Sequence, residues 1–430
     1  MPLIEYVLRA AGTVRPTRTV LVIGHGADAV REALSDRDDL RFALQDPQLG
    51  TGHALLQAEQ ELEGATGTLL LLSGDVPLLR SETLAALVQT HRASSAAATV
   101  LTAPIDQPDG YGRIVRRNGR IVGIVEHKDA SADERRIDEI NSGIYAFDLG
   151  PLFGAVKEIG SANAQGEYYL PDLVRIYRER GLPVETLTIE DAREILGVNS
   201  RRELADVTSI INRQRNEALM EAGVTLVDPA AVYVGPDVAI GADTILHPGV
   251  YLEGRTRIGS RCVIHSGVRI IDSVLEDEVV INNFCVIAES TIARGAELGP
   301  FARLRPQTRV GENAHIGNFV ELKKSTVGRG SKASHLSYLG DATIGERVNV
   351  GAGTITCNYD GTAKHATVIE DGAFIGSDSQ LVAPVRIGRG AYIAAGSSIT
   401  EDVPAGALAI ARGKQINKEG WVERKRKKRE

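Results

Sequence analysis

The residues 68–79, "TLLLLSGDVPLL", run a string of leucines into Ser73, Gly74 and Asp75. Such an apolar run reads as a strand buried on both faces. Its terminal carboxylate has two readings. Asp75 is a turn residue, since Gly-Asp with a proline close behind is ordinary turn chemistry. Alternatively it is a ligand, because the ends of strands in parallel sheets are where α/β proteins hold small molecules. The cysteines narrow little: Cys262, Cys285 and Cys357 are odd in number and far apart, so neither a disulfide framework nor a zinc site is implied.

Composition sets outer limits on what those residues can serve. At 430 residues the chain exceeds one ordinary core, and two or three domains are expected. A hydrophobic share of 43% with 24% charged residues describes a soluble globular protein, and a net charge of −7 argues against a general nucleic-acid binder, which needs a basic face. The terminal run "KEGWVERKRKKRE" is the exception and reads as a solvated, frayed tail. No apolar run reaches membrane-spanning length and no signal peptide precedes the first strand, so a cytoplasmic protein is expected, with no membrane partner.

The elements that position Asp75 alternate. "RTVLVIG", "TLLLLSG", "AATVLTAPI", "RIVGIVE" and "EINSGIYAFD" read as strands; "ADAVREAL" and "RSETLAALVQTHRAS" read as helices, the second with Ser81 as its N-cap. Alternation of this kind predicts a mixed, doubly wound α/β sheet. Residues 200–222, "SRRELADVTSIINRQRNEALMEA", keep helical spacing between Ser200 and Gly223 and read as a connector.

Beyond it the period becomes six. Val234, Ile240, Leu246, Leu252, Ile258, Ile264 and Ile270 open the series; after a slip of four, Val274, Val280, Val286, Ile292, Leu298, Leu304, Val310, Ile316 and Leu322 continue it. Ile369, Ile375, Leu381, Ile387, Ile393 and Ile399 resume it. This is a hexapeptide solenoid, in which each side of a triangular coil sends one aliphatic side chain into a narrow prism. Aromatics at 4% fit, since rings are too large for that interior. Glycines following the inward residue, such as Gly241, Gly311 and Gly376, are expected at corners whose backbone a Cβ resists.

The motifs "QDPQLGTGHA", "SGDVPL", "GYGRI", "GIVEHKDA", "EINSGIY", "NAQGEYYLPDL", "GVNSR", "GPFARLRP", "GNFVELKKS", "ASHLSYLGDA", "GAGTITCNYDG" and "FIGSDSQLVAPV" occur in this order. With them the chain resembles, over nearly its whole length, the bacterial bifunctional N-acetylglucosamine-1-phosphate uridylyltransferases and glucosamine-1-phosphate acetyltransferases. The resemblance implies an α/β nucleotidyltransferase domain over residues 1–199, a linker helix over 200–223 and a left-handed parallel β-helix over 224–430. The family's opening strand and glycine-rich loop, L-A-A-G-x-G-T-R-M, have no counterpart in these residues. "LRAAGTVRPTR" is superficially similar but ends a helix and precedes a strand, whereas a phosphate loop follows a strand and opens a helix. Little or no uridylyl transfer is expected of the chain as it stands.

For that half, the resemblance implies attack of a sugar phosphate on the α-phosphorus of UTP with Mg²⁺ held by Asp75 and Asn199. It assigns Gln45, Gly50 and Thr51 to the uracil, Ser73 and Gly74 to the nucleotide beside Asp75, and Gly112, Glu126 and Asn141 to the sugar. Taken singly these are turn glycines, a surface charge and a polar strand residue; taken as an ordered set they are a site. For the acetyl half, His335 is the general base, an imidazole titrating near working pH, with Glu321 expected to orient it. Arg305 and Lys323 meet the sugar phosphate; Tyr338, Asn349 and Asn358 complete the acceptor site; Ala352, Ser377, Ala395 and Arg412 contact acetyl-CoA. Asn358 lies where the hexad breaks, between Thr356 and Ile369, in a loop that reaches a neighbouring subunit of a homotrimer. Two other readings compete: a sugar-nucleotide pyrophosphorylase with a purely structural solenoid, and a non-enzymatic regulatory subunit. The set His335, Asn349 and Asn358 speaks against the first, since a scaffold needs no base beside paired cations; thiol release in an acetyl-transfer assay separates the second. The products implied are N-acetylglucosamine 1-phosphate and UDP-N-acetylglucosamine for envelope polymers.

Overall fold

The computed structural model describes residues 1–426. The end of the basic tail, 427–430, lies outside the described residues. Two compact units emerge, Met1–Ser209 and Ile210–Glu430, the division falling within one helix.

In chain order the first unit holds α1 (Leu3–Gly12), β1 (Thr19–Ile23), α2 (Ala27–Ala33), β2 (Leu40–Leu44), α3 (Thr51–Gln57), β3 (Thr68–Leu71), α4 (Ser81–Ser94), β4 (Ala98–Pro104), β5 (Arg113–Arg117), β6 (Arg120–Val125), β7 (Glu139–Asp148), α5 (Leu149–Val156), α6 (Asp172–Glu179), β8 (Val184–Thr188) and α7 (Arg201–Glu221). A mixed sheet in the order β6-β5-β7-β4-β8 carries β3 against β7. β4 and β8 run parallel; the remaining pairs are antiparallel. Period-two alternation splits its side chains between two cores: Val100, Tyr145 and Phe147 pack with α5 and α6, while Leu101, Ile144 and Ala146 pack with α1 and α4. β1 and β2 form a separate two-stranded parallel sheet.

Two local expectations change. The leucines of β3 are half-buried rather than buried on both faces, because among the described residues β3 pairs along one edge alone. Ser81 is not the N-cap of α4; Arg80 is, without a side-chain cap bond. The buried carboxylate of Glu194 does that work instead, accepting from the Arg80 N–H at 3.3 Å and the Thr83 hydroxyl at 2.5 Å, a negative charge at a helix N-terminus. Ser200, by contrast, does receive the Glu203 N–H, at 3.2 Å, and so opens α7. Gly223, with φ +91°, closes it.

The second unit is a prism of three parallel sheets of 10, 9 and 11 strands. Each inward residue stacks on its equivalent one coil away: Leu252 on Ile270, Ile264 on Ile281, Leu304 on Leu322. All six are fully or almost fully buried. Between Ile270 and Ile292 the predicted phase is corrected. Val274 and Val286 face solvent, 42% and 41% exposed, and Leu275, Ile281 and Ile287 fill the core. Two sides of five residues replace one slip of four, and in a Val-Leu, Val-Ile, Val-Ile series both neighbours are aliphatic, so the hexad alone cannot choose. Beyond Leu322 the core continues through Val327, Ala333, Leu339, Ile344 and Val350.

The glycines also serve differently from expectation. Gly241, Gly311 and Gly376 lack positive φ; a Cβ on Gly376 would stand 2.5 Å from the Ala395 nitrogen and one on Gly311 2.8 Å from that of Arg329. Coil-to-coil closeness, not corner conformation, demands them. The left-handed corners instead hold side chains such as Phe284, Phe301 and Phe319, whose rings stack outside the prism at 5.3 Å centroid spacing. Cys262 and Cys285 pack inside, and burial pushes the Cys285 thiol up to about 11. Among the described residues no helix is long and apolar enough to cross a membrane.

Candidate functional sites

In the first unit, β3 delivers Ser73, Gly74 and Asp75 to the end of the sheet. A Cβ on Gly197 would lie 3.1 Å from Asp75 Oδ2 and 3.7 Å from Asn199 Nδ2, and the Val198 N–H donates to the Asp75 carbonyl at 3.0 Å. The two side chains thus converge on a glycine that leaves room between them. Two oxygen donors with open space suit magnesium, which retains waters and takes phosphate oxygens for the rest of its shell. Among the described residues there is no cluster of three or more His, Cys, Asp or Glu for a softer metal.

The proposed sugar contacts also meet. A Cβ on Gly112 would be 3.3 Å from Glu126 Oε1 and 3.5 Å from Asn141 Cβ, and Asn141 Oδ1 accepts from the Gly143 N–H at 3.2 Å. Gly143 in turn faces the Ser73 hydroxyl. Burial raises the Glu126 pKa, with Asp129 and Asp172 adding repulsion and Arg113 opposing them. At the entrance to α3, Gln45 Nε2 donates to the Gly50 carbonyl at 3.0 Å and lies 3.1 Å from His53 Nδ1. Thr51 Oγ1 accepts from the Leu170 N–H at 3.1 Å. Gly50 has φ +105° and abuts the Tyr168 backbone, so its lack of a side chain is required twice. His53 and Tyr111 were not anticipated. Tyr111, whose phenol is raised by burial and by Glu203 and Asp75, sits one residue before Gly112 in "GYGRI" and carried no signal of its own. The segment "LRAAGTVRPTR" begins in the last turns of α1 and runs past its end, Thr13 Oγ1 donating to the Ala10 carbonyl at 2.7 Å.

In the second unit, the strand ends of one sheet gather cations. Arg305 Nη1 donates to Glu321 Oε1 at 3.1 Å and Lys323 Nζ to Asp341 Oδ2 at 3.0 Å. Asn358 Nδ2 also donates to Asp341, and a Cβ on Gly340 would come within 2.5 Å of the Tyr338 hydroxyl and 2.8 Å of the Asn358 amide. Burial raises Asp341, but its bonds from Lys323 and Asn358 outweigh that and hold the carboxyl below the ordinary range. Lys364, from the loop in which the hexad breaks, was missed. Lys323 beside it drives its pKa down, with Arg305 adding to the repulsion. Its loop position gave no periodic signal.

His335 ends the strand Lys332–His335 on the adjacent sheet and is exposed. Glu321 does not orient it: that carboxylate is engaged by Arg305, and the partner of His335 Nδ1 is Asn318 Oδ1 at 2.6 Å. Asn349 lies on the same sheet, opposite Lys332, and is not hydrogen-bonded into the Arg305–Asn358 cluster. The four positions assigned to acetyl-CoA form one line along the corner that continues from His335. The Gly353 N–H donates to the Leu336 carbonyl, Asp378 to Ala352, and Gly396 to Ser377, at 2.9, 2.7 and 2.8 Å. Arg412 Nη1 reaches the Ala395 carbonyl at 2.7 Å.

The comparisons agree with this division. The family described as "Nucleotidyl transferase" matches residues 1–192, and "Bacterial transferase hexapeptide (six repeats)" matches 237–272 and 366–401. Proteins named "Bifunctional protein GlmU" are similar throughout. That of Exiguobacterium sp. AT1b is 51% identical over 424 residues, 98% of this chain and 93% of that protein. That of Heliobacterium modesticaldum is 51% identical over 427 residues, 99% and 93%; that of Geobacter sulfurreducens is 49% identical over 443 residues, 99% and 93%. A nucleotidyltransferase sheet with a carboxylate at its strand end, joined in one chain to a hexapeptide prism carrying an exposed histidine and a cluster of cations, and half of all residues shared along the whole length, place this chain in the GlmU bifunctional protein family.

Proposed function

We propose that the chain transfers acetyl from acetyl-CoA to glucosamine 1-phosphate at the prism, and uridylyl from UTP to N-acetylglucosamine 1-phosphate at the sheet. The observations that carry the first are the corner line from His335 through Ala352, Ser377 and Ala395 and, on the adjacent sheet, the cluster of Arg305, Lys323 and Lys364. Cations hold the sugar phosphate. As the amine nitrogen bonds to the thioester carbonyl carbon, its proton passes to His335; the carbon–sulfur bond then breaks and the leaving thiolate takes the proton back. Tyr338, Asn349 and Asn358 position the sugar.

At the second centre, Asp75 and Asn199 are the residues to hold Mg²⁺, which when bound neutralises charge on the phosphates. Gln45, Gly50 and Thr51 receive the base; Gly112, Glu126 and Asn141 receive the sugar. A homotrimer and a cytoplasmic location complete the reading. The trimer is supported by Phe284, Phe301, Phe319 and Leu336, all exposed along the corner beside His335, where a soluble monomer would not keep rings in water.

Free-thiol release from acetyl-CoA with glucosamine 1-phosphate, and pyrophosphate release from UTP with N-acetylglucosamine 1-phosphate, test the two halves separately. Thiol release that His335→Ala abolishes supports the acetyl reading; no release from the unaltered chain would sink it in favour of a binding protein. No pyrophosphate release from the unaltered chain would sink the uridylyl reading.

A further inference from the structure

We propose that Asn318 is a positioning residue for acetyl transfer, setting which nitrogen of His335 takes the proton; the inference rests on His335 being the base. Asn318 and His335 are direct register partners on adjacent parallel strands, His315–Asn318 and Lys332–His335. Their side chains therefore leave the sheet side by side, and Asn318 Oδ1 meets Nδ1 at 2.6 Å. An amide oxygen only accepts, so the contact keeps the proton on Nδ1 and leaves the lone pair on Nε2, the outward nitrogen. The histidine backbone is held too: its carbonyl accepts from the Ser337 hydroxyl at 3.0 Å. The acceptor is neutral, and that matters. A carboxylate here would favour imidazolium and remove free base at working pH, whereas an amide orients the ring without charging it. On one side the register partner of His335 is the uncharged Asn318; on the other, Asn349 pairs with Lys332, and so stands with Lys332 and His315 at the far end from His335. Arg305, Glu321, Lys323, Asp341 and Lys364 belong to the neighbouring acceptor cluster.

The test uses the full chain with ¹⁵N-labelled histidine, the His335 signals being those missing from His335→Ala. In the unaltered chain the proton is expected on Nδ1. Asn318→Ala should lower kcat on the order of tenfold to a hundredfold, the scale on which removal of a group holding an imidazole acts, with KM for both substrates unmoved and the tautomer preference lost. Asn318→Asp keeps an acceptor, so it should hold the tautomer and move the acid limb of the kcat profile to higher pH. A proton found on Nε2 in the unaltered chain, or wild-type kcat in Asn318→Ala, overturns the inference while His335→Ala remains inactive. An active His335→Ala overturns the base assignment itself, and the two failures are thereby told apart.

Discussion

At the scale of single residues, the two halves depend on different kinds of group. Replacing His335 by Ala removes the proposed proton acceptor, and acetyl transfer should fall about 10²- to 10⁴-fold, the usual contribution of a general base, with pyrophosphate release unchanged; parallel thiol and pyrophosphate assays check this. Glu126 offers a pH test in the other unit. Its folded-state pKa lies above the ordinary value, chiefly through burial, so the protonated form is the one the fold prefers. Its contribution to stability is fully present below the unfolded pKa and is lost as pH rises through the folded value. Glu126→Gln should therefore raise Tm slightly at neutral pH and make it less dependent on pH between about 4 and 7, while raising KM for the sugar phosphate. Calorimetry across that range is the measurement. Asp341 has the opposite sign: its pKa is lowered, so its contacts with Lys323 and Asn358 stay intact down to below the ordinary carboxyl range.

Elements come next in scale, and the prism supplies the sharpest contrast. Val286 and Ile287 are adjacent and similar in size, yet one is 41% exposed and the other fully buried. Ile287→Ala should cost about 2–5 kcal/mol, while Val286→Ala should stay within about 0.5 kcal/mol; urea melts of the two variants decide between the observed register and the unbroken hexad. Gly376→Ala tests the stacking of coils. A Cβ there meets backbone at 2.5 Å, so the coils must part and the loss should be about 1–3 kcal/mol, read as a lowered midpoint at unchanged slope. β3 is legible as a strand from its leucines, but its half-burial is not, because pairing at a strand edge is decided by which other segment arrives there. The cap of α4 shows the same limit: Ser81 is the local candidate, and Glu194, more than a hundred residues away, is the actual partner.

The molecule as a whole contains two units with separate cores, and the exposed corner of the second bears on assembly. Phe301→Glu places a charge in the middle of the Phe284–Phe301–Phe319 stack. Sedimentation should then show dissociation to monomers, with acetyl transfer lost if the site is shared between subunits. An unchanged sedimentation coefficient would remove the ring stack from the interface. The sequence by itself determined the class of both halves. Buried-strand runs, one long amphipathic helix and a six-residue period are repeated many times, and each repetition reports the same local geometry. It also supplied most of the proposed site positions, since Asp75, Asn199, Arg305, Lys323 and His335 lie in dense, ordered motifs. Only the tertiary structure decided the phase of the hexad after Ile270, the reason for the glycines, the recruitment of Lys364 and the exchange of Glu321 for Asn318 as partner of His335. Apart from Lys364, which a loop brings in, each of these depends on what lies one coil away, about seventeen to nineteen residues along the chain and a single strand spacing across the sheet, and a periodic pattern does not record which neighbour stands there.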